Sequence, residues 1–470
     1  MSAPATTEKK YLKWYQKLAY GSGDLASNCS YGLVSSFVLL YLTGTLGLDS
    51  AIIGSLMLAS KVLDGISDVI FGTLIDRTHS KLGKARPWML FGQVGVSLCL
   101  FLLFAIPAGS TTMQYIYFFI VYTALNAVFY TANGIAYSSL VALITKNNNE
   151  RVQLGSFRFM FAVVTNIFMG FAVTGMVEKF GSGAAGWRTT ALIFAIVGLV
   201  VNTISCLAVK ELPEEDLGDN TSEAAEEGKA VAEEKKHGFA ETAKVLVHNK
   251  YYLMILAIYI VYYIMSNLTT GAGVFCATYY WGDGSLLGQF SMMKMFPVII
   301  ALAIAPVLIK KTGSMQKVNF WGYAISSVLG IPMIYFAMQK NLSMFLLFMF
   351  IKGIFAGTLS GSLNALIAEA SGYTTRTTGI HMDGMMYSCS SLGVKVGGGI
   401  GTAAVGWLLK LGGFVGTATV QSESAIRMIF NLYITFPFVI GIIITVLLAF
   451  LDVEKANKKW DAEHQKEAQA

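Results

Sequence analysis

The chain has 470 residues, 54% of them hydrophobic and only 13% charged, whereas a soluble domain is typically about 25% charged. A soluble chain this apolar could not cover its surface, which excludes a water-soluble enzyme and points to a chain that lives in lipid. Lysine plus arginine exceed aspartate plus glutamate by 34 to 28, and that small excess matters less than where it falls.

The opening stretch, Glu8-Lys9-Lys10-Tyr11-Leu12-Lys13, is polar and basic. It carries no cleavable signal, so the first membrane helix is expected to insert uncleaved. A span needs about 20 mainly apolar residues. Twelve such segments follow, at 18–46, 50–76, 88–108, 112–144, 153–178, 187–209, 250–281, 286–309, 317–338, 341–370, 380–411 and 426–451. The expected organisation is a cytoplasmic N-terminus (1–17), a six-helix bundle (18–209), a polar linker (210–249), a second six-helix bundle (250–451) and a cytoplasmic tail (452–470). The linker, with Glu214-Glu215-Asp216 and Glu233-Glu234-Lys235-Lys236, reads as a disordered or partly helical cytosolic segment.

Charge sets the orientation. One set of loops and ends carries Lys9, Lys10, Lys13, Lys17, Arg77, Lys81, Lys84, Arg86, Lys146, Arg151, Lys310, Lys311, Lys317, Arg376, Lys455, Lys458 and Lys459. The alternate loops carry little beyond Asp49, Glu178, Lys179, Asp283, Lys340 and Lys410. The positive-inside rule then places both termini in the cytoplasm and the chain in the cell (inner or plasma) membrane. The basic turn after the second segment (Asp76-Arg77-Thr-His-Ser-Lys81-Leu-Gly83-Lys84) has a faint echo after the eighth (Lys310-Lys311-Thr-Gly313-Ser-Met-Gln-Lys317). That echo suggests the duplicated halves of a secondary transporter, with chance likeness of two basic turns as the alternative.

A charge inside a span costs about 2.5–3.5 kcal/mol on insertion scales, so the exceptions are informative. Segment 1 holds Asp24 and Asn28, four apart on one helical face. Segment 2 holds Lys61, Asp64, Ser67 and Asp68; segment 4 holds Asn126, Tyr130, Thr131 and Asn133; Arg158 opens segment 5; Asp383 and Lys395 lie in segment 11. Asp64 and Asp68 are one turn apart, and two neighbouring carboxylates in a low dielectric need a proton, a metal ion such as sodium, or basic partners. The pair is either a coupling-cation site, with Ser67 offering an oxygen, or a structural ion-pair network neutralised by Lys61. Lys395, among Gly393, Gly397, Gly398 and Gly399, lies on a face expected to pack closely against another helix. It is a substrate contact, a partner of the segment 2 carboxylates, or a structural counter-ion. Tyr130 and Tyr137 either stack on a sugar or fill the bundle. Asp76, Arg77, Lys81, Lys84 and Arg86 form either a solvated loop or a conformational latch.

The five cysteines (Cys29, Cys99, Cys206, Cys276 and Cys389) each lie in an apolar run without metal-ligand spacing, as reduced thiols acting as small hydrophobes would. There is no phosphate-binding loop, no metal-spaced pair of histidines and no nucleophile elbow. His381 is expected at the entry to segment 11. Neither an enzyme nor a nucleotide-driven pump fits, and no nucleic-acid partner or cofactor beyond a coupling cation is expected.

Several of these segments together resemble the glycoside–pentoside–hexuronide:cation symporters, a branch of the major facilitator superfamily. They are Tyr20-Gly21-Ser-Gly23-Asp24-Leu-Ala-Ser-Asn28, Asp64-Gly-Ile-Ser-Asp68, Asp76-Arg77 through Arg86-Pro87-Trp88, Glu150-Arg151-Val-Gln-Leu154-Gly-Ser156-Phe-Arg158, and Gly379-Ile-His-Met-Asp383-Gly384 onward to Lys395. The resemblance runs from about residue 16 to 451. It implies an all-α integral membrane fold of two six-helix bundles with a central sugar site, working as a monomer in the lipid bilayer. On the melibiose permease-like pattern, Asp64, Ser67, Asp68 and Thr131 match cation-site positions, with the two carboxylates as ligands if the cation is Na+. Asn28, Tyr130, Arg158 and Lys395, with Asp24 nearby, match positions around the sugar. Asp76, Arg77, Lys84 and Arg86 read as a gating loop. Three positions depart from that pattern: Asn28 and Gly134 stand where it has carboxylates, and Ser138 where it has a tryptophan. Carboxylates accept paired hydroxyl hydrogens strongly, so their loss points away from a galactoside and leaves a glucuronide, pentoside or glucoside. The expected activity is import of a glycoside by symport with Na+ or H+. The alternative is a proton-driven exporter or an uncoupled facilitator of a polar small molecule.

Overall fold

The computed structural model describes residues 9–213, 245–379, 383–418 and 420–467. All secondary structure among them is helical. Most of the expected linker, together with His381, lies outside the described residues.

The chain divides into two compact units. One joins Met1–Asp219 with Asp283–Gly288 and Leu409–Ser422; the other joins Asn220–Gly282 with Gln289–Leu408 and Glu423–Ala470. The N-terminal unit contains α1 (Trp14–Thr45), α2 (Ser50–Asp76), α3 (Arg86–Leu103), α4 (Thr111–Ile144), α5 (Asn148–Lys179) and α6 (Gly183–Leu207). The C-terminal half supplies α7 (Lys250–Tyr280), α8 (Leu286–Thr312), α9 (Met315–Met338), α10 (Leu342–Thr378), α11 (383–411), α12 (423–450) and a polar helix, α13 (Val453–Glu467). Eleven helices among the described residues are long and apolar enough to cross a membrane. The twelfth span expected from sequence is α2, 27 residues long but carrying Lys61, Asp64, Asp68 and Asp76. The chain is thus a multi-pass helical membrane protein.

The helix starts follow capping chemistry. Asp49, Ser110, Asn147, Asn249, Ser314 and Asn341 each accept backbone N–H bonds at the first turns of α2, α4, α5, α7, α9 and α10. In lipid this matters more than in water, because an orphan N–H finds no other partner. Polar residues within the spans follow the same rule. Asn133 and Asn202 both donate to the Met89 carbonyl, at 2.7 and 2.9 Å, and Asn126 donates to Tyr122 of its own helix at 2.9 Å. These asparagines complete the backbone of the bundle. The five cysteines are buried and unpaired, as their apolar settings implied.

Each unit repeats one anchor. Glu211, just beyond α6, accepts the backbone N–H groups of Lys84, Ala85 and Arg86 at 2.7, 3.0 and 3.0 Å, at the start of α3. Glu454, just beyond α12, accepts those of Met315 and Gln316 at 2.8 and 3.1 Å, together with the Ser314 hydroxyl, at the start of α9. In both halves a carboxylate after the sixth helix closes the orphan donors and positive dipole end of the third. This match of roles strengthens the sequence echo between the two basic turns. It also bears on the tail, which was expected as a cytoplasmic segment (452–470). Its first turn is built into the unit, with Glu454 and Asn457 buried and Asn457 donating to the Glu369 carboxylate at 2.8 Å.

Glu454→Ala leaves its donors without an acceptor and is expected to destabilise the protein by about 1–3 kcal/mol. Thermal unfolding of the purified protein in detergent checks this, with the exposed Glu463→Ala as a control that leaves the midpoint unchanged. Equal midpoints for the two variants would refute the anchor.

Candidate functional site

In the N-terminal unit, α1 is interrupted at Ser22, and the break frees carbonyls that the neighbouring helices take up. Tyr137 of α4 and Ser205 of α6 both donate to the Tyr20 carbonyl at 2.8 Å, while the Tyr20 hydroxyl donates to the Tyr137 carbonyl. This lock fixes the helix one turn before Asp24.

Asp24 then meets Arg158 of α5. The guanidinium Nε donates to its carboxylate at 2.6 Å, the Tyr137 hydroxyl oxygen lies 3.2 Å from the same carboxylate oxygen, and the guanidinium lies 4.2 Å from the centre of the Tyr137 ring. Four residues on, Asn28 donates to the Asp24 carbonyl at 2.7 Å and accepts from Asn166 at 2.9 Å. Tyr130 stacks on Tyr31 with ring centres 5.6 Å apart. Four of the five expected substrate residues, Asp24, Asn28, Tyr130 and Arg158, therefore lie in this one unit, half-buried. Arg158 is answered directly by Asp24, a pairing that the separate segments did not show.

The expected cation residues lie on α2 and α4. Thr131 donates to Asp64 Oδ1 at 2.7 Å, and Lys61 sits 3.4 Å from Oδ2 of the same carboxylate. The Ser67 hydroxyl turns back to the Asp64 carbonyl at 2.9 Å, so its proton is engaged while its lone pairs stay available. Asp68 follows one turn further along α2, half-buried. Thr131 begins just after a π-helical stretch, Ala124–Tyr130, and such wide turns are rare and concentrate at functional sites. Among the described residues no group of three or more His, Cys, Asp or Glu side chains gathers to hold a metal. A cation at α2 would therefore rest on carboxylate and hydroxyl oxygens, a hard-ligand set.

The expected gating residues lie at the end of α2 and the start of α3. Asp76 ends α2 and Arg77 follows it, both exposed. Lys84 and Arg86 give their backbone N–H groups to Glu211, and the Arg86 side chain donates to the carbonyls of Cys206 and Leu82 at 3.2 and 3.3 Å. Arg86 thereby braces α3 against α6.

In the C-terminal unit Lys395 occupies another π-helical stretch, Gly393–Gly397. A Cβ at Gly393 or Gly397 would collide with Tyr259 or with the Ile260 carbonyl of α7, so this glycine face packs directly on that helix. The same unit holds two ionisable residues that sequence reasoning missed, Lys294 of α8 and Lys352 of α10. Their signal was plain, since each is a lysine far from either end of an apolar helix. Neither has a carboxylate within one turn on its own helix to draw attention to it.

Asp24→Asn removes the carboxylate that Arg158 faces. The side chains are only 24% and 18% exposed, so the expected loss is about 2–3 kcal/mol, under the range for a fully buried pair. Asp24→Asn combined with Arg158→Gln is expected to recover more than half of it. Thermal unfolding of the two variants reads this coupling, and additive losses would refute the pair.

Comparison with known proteins is consistent along the whole chain. Residues 19–455 match the family described as MFS/sugar transport protein. The isoprimeverose transporter of Lactiplantibacillus pentosus is 26% identical over 478 residues, covering 100% of this chain and 96% of that protein. The glucuronide carrier protein homolog of Escherichia coli K12 is 23% identical over 408 residues, covering 86% and 85%. Among solved structures, a D-xylose–proton symporter superposes with a TM-score of 0.64 at 12% identity, covering 94% of this chain and 98% of that one. At that identity the likeness shows a shared fold.

Proposed function

From the premise that this chain belongs to the MFS/sugar transport protein family, within the major facilitator superfamily, we propose that it imports a glycoside by symport with Na+ or H+. The observation that carries this reading is the contact of Asp64 with Thr131 at 2.7 Å and Lys61 at 3.4 Å, with Asp68 one turn away. Three ionisable side chains, Lys61, Asp64 and Asp68, lie within about two turns of this one helix. Such charges at membrane depth cost too much to serve as filler. The cation's arrival would relieve repulsion between the two carboxylates.

The sugar is assigned to Asn28, Tyr130, Arg158 and Asp24 in the N-terminal unit; Lys395 stands as a separate candidate within the C-terminal unit. Asp24 holds Arg158 so that its remaining N–H groups serve as hydroxyl donors, and Tyr130, already stacked on Tyr31, presents an aromatic surface. Relatives named for isoprimeverose and for glucuronide transport support a glycoside as the cargo class. The carrier works by alternating access from the cell membrane with both termini in the cytoplasm. Symport requires that each ligand favour binding of the other by the same factor.

Uptake of a panel of labelled glycosides into proteoliposomes under an imposed sodium or proton gradient tests this. One sugar is expected to accumulate under one gradient. Asp68→Asn is expected to abolish uphill uptake while the protein stays folded, and full accumulation by that variant would sink the cation assignment. Flat uptake of every glycoside under both gradients would overturn the symport reading itself.

A further inference from the structure

The C-terminal unit contains a cavity of about 190 Å³ lined by residues of α7, α8, α9, α10 and α12. Two lysines line it, Lys294 and Lys352, with Tyr262, Ser266, Thr269 and Ser326 as polar neighbours. No Asp or Glu is among its lining residues, and the remaining lining is largely methionine, aromatic and small apolar side chains. The space is enough for several waters or for the polar end of a ligand.

The two lysines come to one level because α8 and α10 cross in close contact. A Cβ on Gly353 would lie 2.8 Å from Pro297 Cβ, and one on Gly357 would lie 2.7 Å from Ala301 Cβ. Only glycine allows that approach. Lys352 immediately precedes the first of these glycines, and Lys294 lies one turn before Pro297. The position of the pair is thus set by backbone packing.

Lys294 is held as a donor. Its ammonium gives hydrogen bonds to Thr269 and Thr270, both at 3.2 Å. Those hydroxyls send their own protons to backbone carbonyls of α7, Thr270 to Ser266 at 2.8 Å and Thr269 to the same carbonyl at 2.9 Å. Their lone pairs therefore face the lysine. An ammonium has three N–H donors, so the third remains for something in the cavity. Neutral hydroxyls orient this charge without cancelling it, and the apolar walls strengthen any attraction to an opposite charge.

We propose that Lys294 and Lys352 form an anion subsite that selects a carboxylate-bearing glycoside, such as a hexuronide, over its neutral counterpart. The proposal rests on the glycoside reading above and names the acidic class within it. A carboxylate entering this cavity meets two ammonium groups, hydroxyl donors and no competing anion. A neutral sugar of the same shape leaves both charges unanswered, and a polar site left unpaired discriminates strongly.

The test is equilibrium binding of p-nitrophenyl β-D-glucuronide and p-nitrophenyl β-D-glucoside to the purified full-length protein in lipid nanodiscs at pH 7. The glucuronide is expected to bind at least tenfold more tightly. Lys294→Gln and Lys352→Gln should each erase most of that preference while moving the glucoside affinity less than twofold. Lys352→Arg, which keeps the charge, should retain it and so separates a charge effect from damage to the fold. Equal affinities in the unaltered protein, or a preference that survives when both lysines are glutamine, would overturn the subsite. If the glucoside binds without any glucuronide preference, glycoside recognition stands and only the subsite falls. If neither ligand binds to folded protein, both readings fall.

Discussion

Lipid supplies neither water nor counter-ions, so each charge inside a span must find its partner within the protein or bring one in from outside. In the N-terminal unit one pair closes on itself: Asp24 and Arg158 meet at 2.6 Å, with the Tyr137 hydroxyl beside the one and its ring beneath the other. A second set gathers on α2, where Lys61 sits 3.4 Å from Asp64 and Asp68 follows one turn on. In the C-terminal unit two lysines share a cavity without a lining carboxylate.

The backbone obeys the same constraint. Glu211 and Glu454 do the same work at equivalent places in the two halves, each accepting N–H groups at the start of the third helix from just beyond the sixth. Glu150 does related work, binding the N–H groups of Tyr11 and Leu12 and lying 3.0 Å from Lys17. These carboxylates fix helix ends in position, which lets the site residues further along the helices be placed by rigid elements.

Much of this was legible in the sequence, and the reason is physical. Spans of about 20 apolar residues announce themselves, and all twelve expected segments correspond to helices. The α2 charges stood out because lipid penalises them and because a spacing of four puts Asp64 and Asp68 on one face. What sequence could not supply was pairing across helices. Asp24 and Arg158 were both singled out, yet nothing in their separate segments said that one neutralises the other. The tail helix was missed because Val453–Glu467 is mostly polar, and the contacts of Glu454 and Asn457 show that its start is part of the fold. Lys294 and Lys352 were missed for a different reason: neither has a carboxylate within a turn of its own helix, and their meeting depends on a glycine–proline crossing that no single helix reveals.

The wide turn at Ala124–Tyr130 has a further meaning. An α-helix advances by about 100° per residue, and a π-turn takes up one residue more than an α-turn does. Thr131 therefore owes its direction, and its contact with Asp64, to a hydrogen-bond register chosen one to two turns earlier in the same helix. If that stretch tightened to ordinary α geometry, the hydroxyl would swing around the helix axis by about a quarter turn. The helix would stay intact while the oxygen left the carboxylate, so a change of backbone register could make or break a ligand contact without any helix moving as a body.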